Sequence, residues 1–150
     1  MAAPVDGLVS RSVEIGVPAA AVFELLADPR QHPRFDGSDS VKAVIAGPRR
    51  LRLGARFGMR MRLGLPYAVP VRVVEFSEGR RIAWRHFARH IWRYELAELP
   101  GGGTRVTETF DYTRTSARVY EWMGWPERNA AGIEATLDRL KRLAETGWAS

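Results

Sequence analysis

The sequence predicts an α+β fold: a seven-stranded twisted antiparallel sheet, in the order β-α-α-β6-α, wrapped around a long C-terminal helix. Three observations carry this. Over residues 126–146, Ala130, Ile133, Leu137, Leu140 and Ala144 recur every three or four positions, with Glu134, Asp138, Arg139, Lys141, Arg142 and Glu145 largely on the other faces. Between residues 41 and 113 the apolar period is two. The linkers between those alternating segments are short and rich in glycine and proline, as antiparallel hairpins require. A helix of about twenty residues is roughly 30 Å long, so it needs a broad apolar surface beneath it. Only the alternating segments can supply one.

Each element follows in turn. Residues 8–17 alternate Val9, Val13, Ile15 and Val17 against Ser10, Ser12 and Glu14, a first strand. Pro18 suits a first helical turn, and the helix over 19–27 carries Val22, Phe23, Leu25 and Leu26. Asp28-Pro29 ends it, because a residue before proline is pushed out of the helical region. The stretch through His32, Pro33 and Phe35 holds a second short turn of helix, and His32 has no visible partner there. Val41, Ala43 and Ile45 then share a strand face closed by Gly47-Pro48. Phe57, Met59, Met61 and Leu63 oppose Arg56, Gly58, Arg60 and Arg62, and Gly64-Leu65-Pro66 turns the chain. Tyr67, Val69, Val71 and Val73 lie opposite Arg72, with Glu78-Gly79 as the next turn. Segments 80–87, 90–99 and 104–113 complete a meander, the last two joined across Pro100 and three glycines. A short helix over about 116–123 carries Tyr120 and Trp122, and Gly124 with Pro126 separates it from the long one. With no internal repeat, low-complexity segment or linker, the expectation is one domain over 1–150 with a core of about 8–146.

Composition narrows the function classes. At 45% hydrophobic and 27% charged residues the chain is globular. The absence of cysteine excludes disulfides, zinc–thiolate sites and thiol catalysis. The net charge of +6 is almost all arginine, since only Lys42 and Lys141 are lysines. No basic run is interleaved with exposed aromatics, so a solvated basic face is expected and no nucleic-acid partner. Residues 1–7 have neither a basic n-region nor an apolar h-region, and no window approaches about eighteen apolar residues. No membrane span and a cytoplasmic location are the expectations, by elimination. There is no Gly-x-Ser-x-Gly, phosphate loop or dinucleotide fingerprint, so nucleophilic catalysis finds no support and no cofactor is expected.

The order of elements, with Pro18, Val22-Phe23, Leu26 and Asp28 after the first strand, resembles the START-related, birch-allergen-like helix-grip superfamily. So do Trp92-Arg-Tyr-Glu-Leu96, Gly103-Thr-Arg-Val-Thr-Glu-Thr-Phe110 and Leu137-Asp-Arg-Leu-Lys141, and the chain is most similar to its bacterial polyketide cyclase/dehydrase-type branch. The resemblance implies a ligand cavity between sheet and helix, with its mouth at the ends carrying the 64–66 and 87–89 loops. Members bind lipids, sterols, hormones or polyketides, and some are cyclases, aromatases or dehydratases. Phe23 and Phe35 stand where such proteins often carry tryptophan, and no universal catalytic motif carries over.

The inward face can be read from the hairpins. Keeping Trp84 and Trp92 on one face pairs them with each other, pairs Ile82 with Tyr94, and leaves Phe87, Ala88 and Arg89 as a loop between His86 and His90. Centring the next turn on Gly101 sets Trp92 opposite Phe110, Tyr94 opposite Glu108 and His90 opposite Tyr112. Three inward rows follow: His86, His90 and Tyr112; Trp84, Trp92 and Phe110; Ile82, Tyr94 and Glu108. Hydroxyl and imidazole groups are expensive to bury unless paired, which favours a cavity over a filled core. The expected ligand-binding set is Phe35, Met59, Met61, Tyr67, Trp84, His86, His90, Trp92, Tyr94, Glu108, Phe110, Tyr112 and Trp122. His86, His90 and Tyr112 are the candidate acid–base groups. A two-histidine, one-carboxylate metal site is not expected, because Glu108 falls four residues from Tyr112, about 13 Å along the strand at ~3.3 Å per residue. Glu108 beside Tyr94 reads as a satisfied pair at the pocket floor. Tyr120, Trp122, Met123 and Trp125 are expected to form a lid or a homodimer patch. The long helix, with no ionisable residue in its stripe, should supply wall rather than chemistry. The leading reading is binding or transport of a small hydrophobic ligand. A cyclase, aromatase or dehydratase using the same groups and a packed interaction domain remain open beside it.

Overall fold

The first strand of the chain pairs with the last, and this sets the whole layout. A computed structural model describes residues 7–86 and 89–146. Its elements are β1 (Leu8–Ile15), α1 (Ala19–Ala27), a 3-10 turn (Pro29–Gln31), α2 (His32–Phe35), β2 (Val41–Ala46), β3 (Arg56–Leu63), β4 (Leu65–Ser77), β5 (Arg81–Arg85), β6 (Ile91–Glu98), β7 (Thr104–Asp111), α3 (Ala117–Trp122) and α4 (Trp125–Glu145). The seven strands form one antiparallel sheet in the order β1-β7-β6-β5-β4-β3-β2. The α1–α2 excursion carries the chain from one edge of the sheet to the other. This is the predicted helix-grip arrangement.

The register agrees with the pattern-based pairing where the ladders extend. Trp84 faces Trp92 and Ile82 faces Tyr94 across β5–β6, while Trp92 faces Phe110 and Tyr94 faces Glu108 across β6–β7. His86 and His90 fall just outside the last β5–β6 pair, Arg85 with Ile91. Phe87 and Ala88 of the expected loop lie outside the described residues, as do the ends of the expected 1–150 domain. The Gly64-Leu65-Pro66 turn is tighter than expected. Leu63 pairs directly with Leu65 around Gly64, whose φ of 80° suits glycine, so Leu65 and Pro66 belong to the strand. β4 also continues past Val73 to Ser77 through a bulge between Val73 and Glu75.

The core is built by the alternation and by the short helix. Val22, Phe23, Leu25 and Leu26 of α1 are buried with Ile82, Val106 and Phe110 of the sheet and Ile133, Leu137 and Leu140 of α4. Helix α4 is fastened to β1: Arg11 pairs with Glu134, Lys141 Nζ donates to the Glu14 carbonyl, and Glu145 accepts from the Gly16 amide. It is also fastened to the loop after α2. The Gly37 amide donates to Thr136 Oγ1 at 2.8 Å, and Arg139 donates to the Asp36 carbonyl and the Asp39 carboxylate. Gly37 is needed there, because a Cβ would stand 2.3 Å from the Thr136 nitrogen and 2.5 Å from Ala135 Cβ.

Candidate functional site

Strand alternation aims one set of side chains at α4, and the first half of that helix does not collapse onto them. The space between is a cavity of about 550 Å³. β3 and β4 contribute Phe57, Met59, Met61, Tyr67, Val69 and Val71; β5 to β7 contribute Trp84, Trp92, Tyr94, Glu108 and Phe110. Phe35, His86 and His90 also line it; of all these, Phe57, Val69 and Val71 fall outside the expected set. Two expected residues stand elsewhere. Tyr112 is buried beside this lining rather than in it, stacked on Phe110 and Tyr120 at 5.3 and 5.8 Å. Trp122 points outward, 87% exposed. The expected lid therefore divides: Tyr120 and Trp125 turn inward, ring to ring at 4.7 Å, while Trp122 and Met123 face solvent.

Two corrections concern groups that sequence reasoning passed over. His32 is buried, donates from Nε2 to the Leu26 carbonyl at 2.9 Å, and stacks on Trp84 at 4.6 Å. It lines the cavity with a fixed tautomer, and burial lowers its pKa to about 4. The helix also supplies more than wall. Trp125, Arg128, Asn129, Gly132, Ile133 and Thr136 face the cavity, a stripe that departs from the expected one over the first two turns. The loop of Asp36, Gly37, Ser38 and Ser40 closes the same side, with Asp36 accepting from the Ser38 amide and hydroxyl and from the Val41 amide.

Burial favours the neutral forms of the titratable groups on the strand side of the cavity, while Asp36 and Arg128 bring charge to its helix side. Burial lowers His86 to about 4, reinforced by the neighbouring His90, and burial alone does the same to His90. Their rings are 5.9 Å apart, and His90 Nδ1 meets the Tyr120 hydroxyl at 3.0 Å. Burial pushes the Glu108 carboxyl well above the ordinary carboxylate range; the Asp36 charge acts the same way and the hydrogen bond from Tyr94 opposes both. The Glu108–Tyr94 pair is only half satisfied, since Glu108 Oε1 is buried with no hydrogen-bond partner. Among the described residues no three histidine, aspartate or glutamate side chains gather closely enough to hold a metal ion.

A larger depression of about 690 Å³ lies between β4, β5, β6 and β7. It is more open to solvent, and most of its charges are already paired: Arg81 with Glu75 and Glu95, and Arg105 with Glu14. It has none of the enclosure or converging unpaired groups of the cavity under α4, which is the better candidate site.

An antiparallel sheet gripping a helix over an enclosed, mostly apolar cavity defines a class of small-ligand-binding folds. The chain belongs to the family described as "Polyketide cyclase / dehydrase and lipid transport", matched over residues 7–145. An uncharacterized protein of Mycobacterium tuberculosis H37Rv is 45% identical over 140 residues, covering 89% of this chain and 62% of that one. The chain thus spans less than two thirds of the length of the curated relatives it matches. A crystal structure of a Nitrosomonas europaea protein is similar in fold, with a TM-score of 0.72, 19% identity, and coverage of 99% of this chain and 100% of that one. A Polyketide_cyc-like protein of Corynebacterium glutamicum, solved by NMR, has a TM-score of 0.64 at 20% identity, covering 98% and 96%. No described helix is long and apolar enough to cross a membrane.

Proposed function

We propose that this protein binds a small, predominantly hydrophobic molecule, aromatic or polyketide- or lipid-like, in the cavity between the sheet and α4. The observation that carries this reading is the cavity itself: about 550 Å³ left open beneath a helix whose other half packs tightly. Ligand pockets are about 300–1,000 Å³, mostly apolar, with a few placed polar groups. Methionine, valine and aromatic walls with His86, His90, Tyr94 and Glu108 among them fit that description. Family membership supports the same class of function.

The chemistry favours holding a ligand over transforming it. A general base works best with a pKa near the working pH, whereas His86 and His90 are lowered to about 4 and accept protons weakly at neutrality. Tyr112, the third candidate acid–base group, stacks on Phe110 and is not among the residues that line the cavity.

The test is a competition titration. A fluorescent apolar probe, 1-anilinonaphthalene-8-sulfonate, is bound to the wild type and displaced by 9-fluorenone. Met61→Trp and Val71→Trp, which fill the cavity from β3 and β4, are expected to weaken probe binding at least tenfold while remaining folded. Undiminished affinity in both folded variants would place the probe elsewhere and sink the proposal.

A further inference from the structure

One buried oxygen in the cavity wall stands without a partner. Glu108 Oε1, on a side chain only 3% exposed, makes no hydrogen bond, although nearly all buried polar atoms in native proteins make one. The carboxyl projects from β7 into the cavity beside Phe110, and Tyr94, its cross-strand neighbour on β6, is its hydrogen-bonding partner. Asp36, across the cavity on the loop after α2, is itself fully engaged by Ser38 and Val41. Nothing among the described residues satisfies the remaining Glu108 oxygen.

Resting on the reading of this cavity as a ligand site, we propose that Glu108 stands as a neutral carboxylic acid whose Oε1–H donates to a carbonyl or hydroxyl oxygen of the ligand. The cavity then selects oxygenated hydrophobic molecules over pure hydrocarbons and over cationic amines. Three features converge on this. Tyr94 donates to the carboxyl, which leaves an acid's own proton free to be donated onward. Among the described residues no cation bears on Glu108: Tyr94 and the Asp36 carboxylate are the groups that act on it, Arg128 of α4 lines the same cavity without acting on the carboxyl, and burial keeps the imidazoles sharing the cavity neutral. An ion pair formed there with a bound amine would have to repay the desolvation of both charges, whereas a neutral donor meeting a neutral acceptor repays only two lost water contacts.

The experiment uses one tricyclic frame with three substituents: fluorene, 9-fluorenone and 9-aminofluorene, titrated calorimetrically against wild type, Glu108→Gln and Glu108→Leu. The wild type is expected to prefer fluorenone to fluorene about tenfold, the worth of one well-made buried hydrogen bond. Glu108→Gln keeps that preference, because a carboxamide still accepts from Tyr94 and donates N–H to the ligand. Glu108→Leu binds the two within about twofold of each other. Fluorenone preference surviving in Glu108→Leu overturns the proposal. So does tightest binding of aminofluorene with its loss in Glu108→Gln, which would mark an ionised carboxylate. If fluorene and fluorenone bind the wild type equally, this inference fails while the cavity reading stands; if no tricycle binds, both fail. Infrared difference spectra give a second readout: a protonated-carboxyl stretch at neutral pH, absent from Glu108→Gln and shifted on adding fluorenone. A wild-type spectrum without that stretch overturns the proposal whatever the stability of the leucine variant.

Discussion

His32 shows what a single side chain does here that its local sequence conceals. Nothing in the short, proline-flanked run around it reports a period, so there was no face on which to place the ring. Folded, it closes the Leu26 carbonyl, stacks on Trp84 and lines the cavity. By contrast Trp84, Trp92, Tyr94, Glu108 and Phe110 are legible, because a period of two leaves each strand residue only two faces to choose from. Replacing His32 with phenylalanine keeps a ring against Trp84 but leaves a carbonyl unmet, and is expected to cost about 1–3 kcal/mol in denaturant unfolding. Burial lowers His32 to about 4 from an ordinary 6.5, so the unfolded chain binds more protons between those values. Its stabilising contribution is present above pH 6.5 and lost as pH falls toward 4, on the order of 3 kcal/mol for a fully enclosed group. His86 and His90 act in the same direction. Glu108 acts oppositely: with its folded pKa raised, its contribution is full below pH 4.5 and declines as pH rises. Unfolding free energy measured at pH 7 and pH 4.5 should therefore fall on acidification, and fall less in His32→Phe.

At the scale of elements, α4 is two helices in function. Its second half presents Leu137 and Leu140 to the core, as the sequence stripe indicates, with Ile133 and Thr136 at the changeover buried at the cavity's edge. Its first half turns Trp125, Asn129 and Gly132 toward the cavity, a face with too few apolar residues for periodicity to register. Two glycines near that face separate backbone necessity from mere smallness. A Cβ at Gly37 would collide with the α4 backbone, so Gly37→Ala is expected to destabilise by about 1–3 kcal/mol and to loosen the loop after α2. A Cβ at Gly132 would meet only Ser38 Cβ, at 3.8 Å. Gly132→Ala is expected to stabilise by about 0.5–1 kcal/mol through helix propensity. Thermal unfolding of the pair checks both signs at once. The loop's approach to α4 could not have been read beforehand, since it depends on a contact 99 positions away, Gly37 to Thr136.

At the scale of the molecule, strand count, strand order within the meander and the closing helix are all legible, because each rests on local patterns and short linkers. The cavity's size is not, since it is the difference between where α4 is held and how far side chains reach. α4 is held from its middle to its C-terminal end by β1 and Gly16 just after it, through Glu134, Lys141 and Glu145, and along its middle by the loop after α2 through Thr136 and Arg139. Arg139→Ala removes the clamp on Asp39, a non-glycine residue at a φ of 57°. Because that pair is exposed, equilibrium stability should change by less than about 1 kcal/mol, while probe association and release should both quicken in stopped-flow measurements.

The pairing of the first strand with the last also has a meaning in time. β2 to β7 can form from neighbouring hairpins as they emerge, but β1 must wait: Ser10 meets Thr109, 99 positions on, and α4 then seats on β1. Closing so long a loop comes after the local pairings have formed, which places this chain among slow folders with much non-local contact. Weakening the β1–α4 seam, for example by Arg11→Ala, should accelerate unfolding and leave the refolding rate nearly unchanged. On a ribosome, the sheet is completed only once β7 is out, and the chamber beneath α4 exists only once α4 has followed it. The chamber is thus the last feature of this fold to take shape.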